Sequence, residues 1–168
     1  VLDLTTTEWC DEIVGGVLAA GPDRCSAAAL NGVPAVVSVG ADDMVNFGPW
    51  DTVPEQYKSR NLYKHNPTVT LMRTTVEENK QIGEAIADKV NMSIGPCAVM
   101  LPLKGVSMID AAGQPFYGPE EDAALFGAIK QTVDPAKADI IELDAHINDD
   151  EFAIAAAQKL IDLMTQKD

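Results

Sequence analysis

Apolar residues in this chain fall into two patterns. Short and mostly unbroken runs, Val1 to Leu4, Ala35 to Val39, Val69 to Met72, Cys97 to Leu101 and Ile140 to Leu143, have strand length. Such runs read as strands covered on both faces, the pattern of a parallel sheet. Between them the apolar positions recur at helical spacing. Trp9, Ile13, Val14 and Val17 predict a first helix that Gly15 and Gly16 weaken, and Gly21-Pro22-Asp23 restarts the chain into a short helix stopped by Asn31-Gly32. Thr75-Val76-Glu77-Glu78 has capping-box form ahead of Ile82, Ile86 and Val90. Pro119 with three acids opens a helix whose stripe is Leu125, Ile129 and Val133, and Phe152, Ala156, Leu160 and Met164 predict the inner face of the last helix.

Strand, helix, strand, loop and then three successive strand–helix units describe an α/β domain. The expected architecture is three-layered and Rossmann-like: a mostly parallel sheet of about five strands with helices on both faces, in one domain over residues 1–168. Met44 to Pro54, rich in Gly, Pro, Asp and Trp, reads as a long irregular loop, with Phe47 and Trp50 near the surface. That loop suggests a homo-oligomer contact, so the chain is also readable as an interaction module with no ligand of its own.

Charge changes this picture in one place. The formal net charge is −14, yet four of the twelve basic residues, Lys58, Arg60, Lys64 and Arg73, crowd between Tyr57 and Arg73 with His65 among them. A cationic entrance to an acidic protein suggests a small anionic molecule or nucleotide; the alternative is a surface loop whose cations pair with nearby acids. The acidity argues against nucleic acid and anionic membranes as partners, and no apolar run approaches a membrane span. Three widely spaced cysteines, Cys10, Cys25 and Cys97, suit a reducing, cytoplasmic setting and give neither a disulfide framework nor a zinc motif. The opening Val-Leu-Asp-Leu, without Met, predicts a piece of a longer protein.

Ligands of open parallel sheets bind beyond the carboxyl ends of the strands. The residues there are Thr5-Thr6-Thr7, Gly40 to Asp43, Arg73-Thr74-Thr75, Lys104-Gly105-Val106-Ser107 and Asp144-Ala145-His146. Helix capping accounts for part of this list. The candidate binding residues are Thr5, Thr6, Lys64, Arg73, Lys104, Gly105 and Ser107, and the candidate catalytic residues are His65, His146 and Asp144. Lys104, Gly105 and Ser107 combine a cation, a glycine and a hydroxyl, as phosphate or carboxylate sites do, although the P-loop pattern G-x-x-x-x-G-K-S/T is absent. Asp144 and His146 raise a third possibility, metal-assisted hydrolase or lyase chemistry. Spacing selects no further ligands for a metal, although Asp42, Asp43 and His65 are available, and magnesium held with a phosphate would need fewer.

The stretches LTTTEWCDEIVGG, GVLAAGPDR, VPAVVSVGADDMVNFGPWDTVPE, LYKHNPTVTLMRTT, LPLKGVSMID and LDAHINDDEFA together resemble the uncharacterised family related to the tomato mosaic virus resistance protein. The resemblance covers nearly the whole chain and is to the carboxy-terminal half of that family. It implies a missing α/β half in front and a ligand cleft between the halves. It also implies ATP, with magnesium, as a possible ligand of the full-length protein, although the ATP-binding label belongs mainly to the front half. The resemblance supplies no reaction. It marks Thr5 to Glu8, Gly40 to Asn46, Tyr63 to Asn66, Lys104 to Ser107 and Asp144 to Asn148 as motif stretches.

Overall fold

The computed structural model describes residues 1–165. Four strands, β1 (Leu2–Thr5), β2 (Ala35–Gly40), β6 (Cys97–Pro102) and β7 (Asp139–Leu143), form a parallel sheet in the order β1-β2-β6-β7. Val36 pairs with Leu2 on one side and Ala98 on the other, and Val99 pairs with Ile140. The parallel strands follow one another across the sheet in chain order, so every crossover steps the same way. Right-handed crossovers then put the connecting helices on one face.

The core obeys this. Val37, Val39, Val99 and Leu101 share a buried cluster with Trp9 of α1 (Glu8–Val14), Ile82 and Ile86 of α3 (Val76–Asn91) and Leu125 and Ile129 of α4 (Pro119–Thr132). A short α2 (Ser26–Leu30) packs through Ala28 and Ala29 at the lower end of this face. The alternate positions Val36, Ala98 and Met100 pack on the other face against Phe152, Ala156 and Leu163 of α5 (Asp150–Thr165). The sheet is therefore covered on both faces, as its unbroken apolar strands predict. The capping box of α3 is present in full: Glu78 N donates to Thr75 Oγ1 at 3.2 Å and Thr75 N to Glu78 Oε2 at 2.8 Å.

Several expectations are corrected. Val69–Arg73 (β5) is not a strand of the parallel sheet. It is the middle strand of a separate antiparallel sheet, between β3 (Met44–Phe47) and β4 (Leu62–Asn66). A central strand buried on both sides gives the same unbroken apolar run whichever way its neighbours point. The Met44 to Pro54 stretch starts as β3 and ends in a 3₁₀ turn at Trp50–Thr52. Phe47 is buried, with its ring centroid 5.5 Å from that of Tyr57, and only Trp50 faces outward. Val17 is exposed because Gly15 ends α1 in the left-handed region at φ 97°. Met164 points out and Leu163 in: a strict spacing of four drifts by about 40° per step around a helix, so the third step leaves the buried face. Among the described residues no helix is long and apolar enough to cross a membrane.

Candidate functional site

Because the parallel strands run in chain order, the sheet lacks the reversal that opens a crevice in doubly wound folds. The inserted antiparallel sheet and the first turn of α4 supply walls at the carboxyl ends instead. A cavity of about 290 Å³ lies between the ends of the parallel strands (Thr5, Gly40, Ser107) and the inserted sheet (Met44, His65, Leu71). A larger one, about 720 Å³, lies between the loops after β6 and β7 (Lys104, Gly105, His146) and α4 with its approach (Tyr117, Asp122, Phe126). Lys104, Gly105 and His146 line the larger cavity and Val106, Ser107, Ile147 and Asn148 the smaller, so one pair of loops stands between the two.

Those loops are held to each other closely. Gly105 has φ 128°, and a Cβ there would lie 1.9 Å from Asp110 O and 2.9 Å from His146 Cδ2, so only glycine fits. Ile147 N donates to Gly105 O at 3.1 Å. His146 Nε2 lies 2.9 Å from Ser107 O, while Nδ1 accepts from Asn148 N at 3.1 Å. This pattern fixes the neutral tautomer with its proton on Nε2. Both ring nitrogens are thereby engaged, and His146 pins the loops together. Lys104 Nζ reaches Asp144 O at 2.7 Å and Asp144 Oδ2 at 3.0 Å, both side chains being largely exposed.

Beneath the smaller cavity the carboxylates are buried. Ser107 Oγ donates to Asp43 Oδ2 at 2.7 Å and accepts from Ile109 N at 3.2 Å. Burial, opposed by that serine bond, pushes the Asp43 carboxyl up to about 6. Its Oδ1 has no hydrogen-bond partner among the described residues. Asp42, also fully buried, is pushed well up by burial, and Thr6 Oγ1 lies 2.9 Å from its Oδ2 and 2.8 Å from Ser38 O. A protonated Asp42 can donate to Thr6 while Thr6 donates to Ser38.

The wall of the larger cavity holds a group that the sequence did not single out. Asp122 Oδ1 accepts from Arg73 NH2 at 2.8 Å, and Asp110 Oδ1 lies 3.4 Å from the same nitrogen. Arg73 also donates from Nε to Phe116 O and from NH1 to Thr74 Oγ1. Burial first, then the charge of Asp110, pushes the Asp122 carboxyl up to about 7, against the pull of Arg73. In the sequence Asp122 is one of three first-turn acids of a helix, and nothing in its spacing separates it from Glu120 and Glu121.

The candidates thus divide. Lys104, Gly105 and His146 meet at the larger cavity, and Thr5, His65 and Ser107 at the smaller. Arg73 is buried behind the larger cavity, bound to protein groups. Thr6 lies under the strand ends. Lys64 is on the exposed β4, and Asp144 is exposed beside Lys104. Of the other basic residues, Arg60 pairs with Glu78 at 2.7 Å and Lys58 with Glu55 at 2.6 Å. Among the described residues no three His, Cys, Asp or Glu side chains gather as metal donors.

A family model described as "Uncharacterised protein family (UPF0261) C-terminal domain" matches residues 1–164. Similar proteins include a UPF0261 protein of Clostridium tetani, 62% identical over 164 residues that make up 98% of this chain and 41% of the relative. A UPF0261 protein of Rhizobium meliloti is 51% identical over 97% of this chain and 41% of its own length. The ToMV resistance protein Tm-1(GCR237) of Solanum lycopersicum is 43% identical over 97% of this chain and 22% of its own length. The chain thus spans about two fifths of the bacterial relatives and about a fifth of the tomato protein.

Proposed function

The chain belongs to the UPF0261 family, as its C-terminal domain, and from that premise we propose that it binds a small carboxylate- or phosphate-bearing molecule in the 720 Å³ cavity at the ends of β6 and β7. The observation that carries the reading is the meeting of Lys104, Gly105 and His146, from two separate strand ends, on one cavity beside the first turn of α4. An exposed Lys–Asp pair contributes only about 0–1 kcal/mol, so a bound anion can replace Asp144 as the partner of Lys104. The amino end of α4 adds a favourable dipole for negative charge. In the longer relatives a preceding part of the chain is available to close the cavity, and nucleotides belong among the ligands to be tried.

Isothermal titration of the protein that carries this chain, against oxalate, sulfate and nucleotides with and without magnesium, tests the reading. Binding of at least one anion, weakened about tenfold by Lys104→Ala, is expected. No heat and no thermal shift with any of them refutes it.

A second reading, self-association, draws support from α5. Ile154, Ile161 and Met164 form an outward apolar row at i, i+7 and i+10 on that helix, opposite its buried stripe. Light scattering that gives a monomer at every concentration refutes it.

A further inference from the structure

One guanidinium serves two carboxylates at the wall of the larger cavity. Arg73 lies within 3.4 Å of Asp110 and 2.8 Å of Asp122, and the Asp110 side chain is completely buried. Two ionised carboxylates and one cation leave an uncompensated negative charge in a poorly solvated place, which a single proton neutralises. Asp110 has both oxygens engaged by backbone donors: its Oδ2 accepts from Val106 N at 3.0 Å and its Oδ1 from Gly118 N at 3.3 Å. Asp122 keeps Arg73 on one oxygen and lines the cavity.

Resting on the anion-binding reading above, we propose that Asp122 is the acid–base group of the crevice: it holds a proton at the cavity wall and exchanges it with an oxygen of the bound carboxylate or phosphate compound. In the forward direction the O–H bond of Asp122 breaks and an O–H bond to the ligand oxygen forms. Arg73 faces the ionised Asp122 at 2.8 Å, and the reverse transfer restores the acid and removes the uncompensated charge. The position of this carboxyl near pH 7 suits the role. The other groups that face Asp122 are accounted for. Lys104 and His146 come from the loops after β6 and β7, Tyr117 from the approach to α4, and Glu121 from the same helix turn. Lys104, paired with the exposed Asp144, is the cation across the cavity, and His146 has both ring nitrogens engaged.

The test uses the full-length protein and oxalate, which does not itself titrate between pH 6 and pH 8. If the crevice accepts the anion only with Asp122 protonated, a carboxyl titrating at about 7 makes oxalate bind about tenfold more weakly at pH 8 than at pH 6. Asp122→Asn, a neutral mimic of the acid, should bind equally at both pH values and at pH 8 match the wild type at pH 6. A wild-type affinity that does not change with pH, or an unchanged pH dependence in Asp122→Asn, overturns the proposal while leaving the anion site standing. Absence of oxalate binding at every pH removes that ligand from the site. The proposal is then decided by carboxyl ¹³C NMR of the unliganded protein. An Asp122 midpoint near 7 that falls in Asp110→Asn supports it, and a midpoint in the ordinary carboxylate range overturns it.

Discussion

Replacing Asp43 by Asn removes a buried ionisable group while keeping its shape and its acceptor for the Ser107 hydroxyl. Asp43 is completely inaccessible to solvent, and its carboxyl is raised from 3.8 to about 6, chiefly by burial. A raised carboxyl means that the fold prefers the neutral acid. The stabilisation is complete below pH 3.8 and is lost as the pH climbs through 6. The whole gap is worth about 3 kcal/mol at about 1.36 kcal/mol per pH unit. Most of that loss lies below pH 6, so about 1.4 kcal/mol of it falls between pH 5 and pH 8. Denaturant unfolding of wild type and Asp43→Asn at several pH values in that window reads the difference directly, since carboxyls common to both proteins cancel. The expected result is that the wild type loses about 1.4 kcal/mol relative to the variant as the pH rises. A difference that stays flat, or one that moves in favour of the wild type, refutes the account of Asp43 as a destabilised buried carboxylate.

Three further outcomes follow from the same geometry. Gly105→Ala places a Cβ 1.9 Å from Asp110 O in a left-handed residue; it should lower stability by about 2 kcal/mol or more and release the His146 loop, which thermal melting and ¹H–¹⁵N spectra of residues 144–148 will show. Thr75→Ala removes one half of the α3 capping box and should cost about 1 kcal/mol in urea unfolding, with no effect on anion binding. Arg73→Met strands Asp110 and Asp122 without their cation, which should cost about 3–5 kcal/mol at pH 8. The loss should be smaller at pH 5.5, where Asp122 carries its proton, and adding Asp122→Asn should recover part of it in the same chemical-denaturation assay.

The pattern of apolar positions was enough to place most of the elements. Unbroken runs at Ala35 to Val39 and Cys97 to Leu101 could only be satisfied by cover on both faces, and Thr75 with Glu78 specified the start of α3 through contacts three residues apart. These are short-range requirements, and local sequence carries them. The strand-end rule likewise brought Lys104, Gly105, Ser107 and His146 forward, because the end of a strand is a local property.

What the chain order hid was which sheet each strand joins. The run Val69 to Met72 is as apolar as its counterparts, but backbone hydrogen bonding to β3 and β4 takes it out of the parallel sheet, and a side-chain pattern does not record a pairing partner. The same limit applied to charge. Arg73 looked like a ligand cation because its partners, Asp110 and Asp122, lie 37 and 49 residues away in sequence; only folding brings them within hydrogen-bond distance and turns a free cation into the shared partner of a carboxylate pair. Asp122 was invisible for the complementary reason. A first-turn helix acid acquires an unusual proton affinity only when tertiary packing takes it out of water and sets a second carboxylate behind it, and burial and proximity of that kind are properties of the assembled fold.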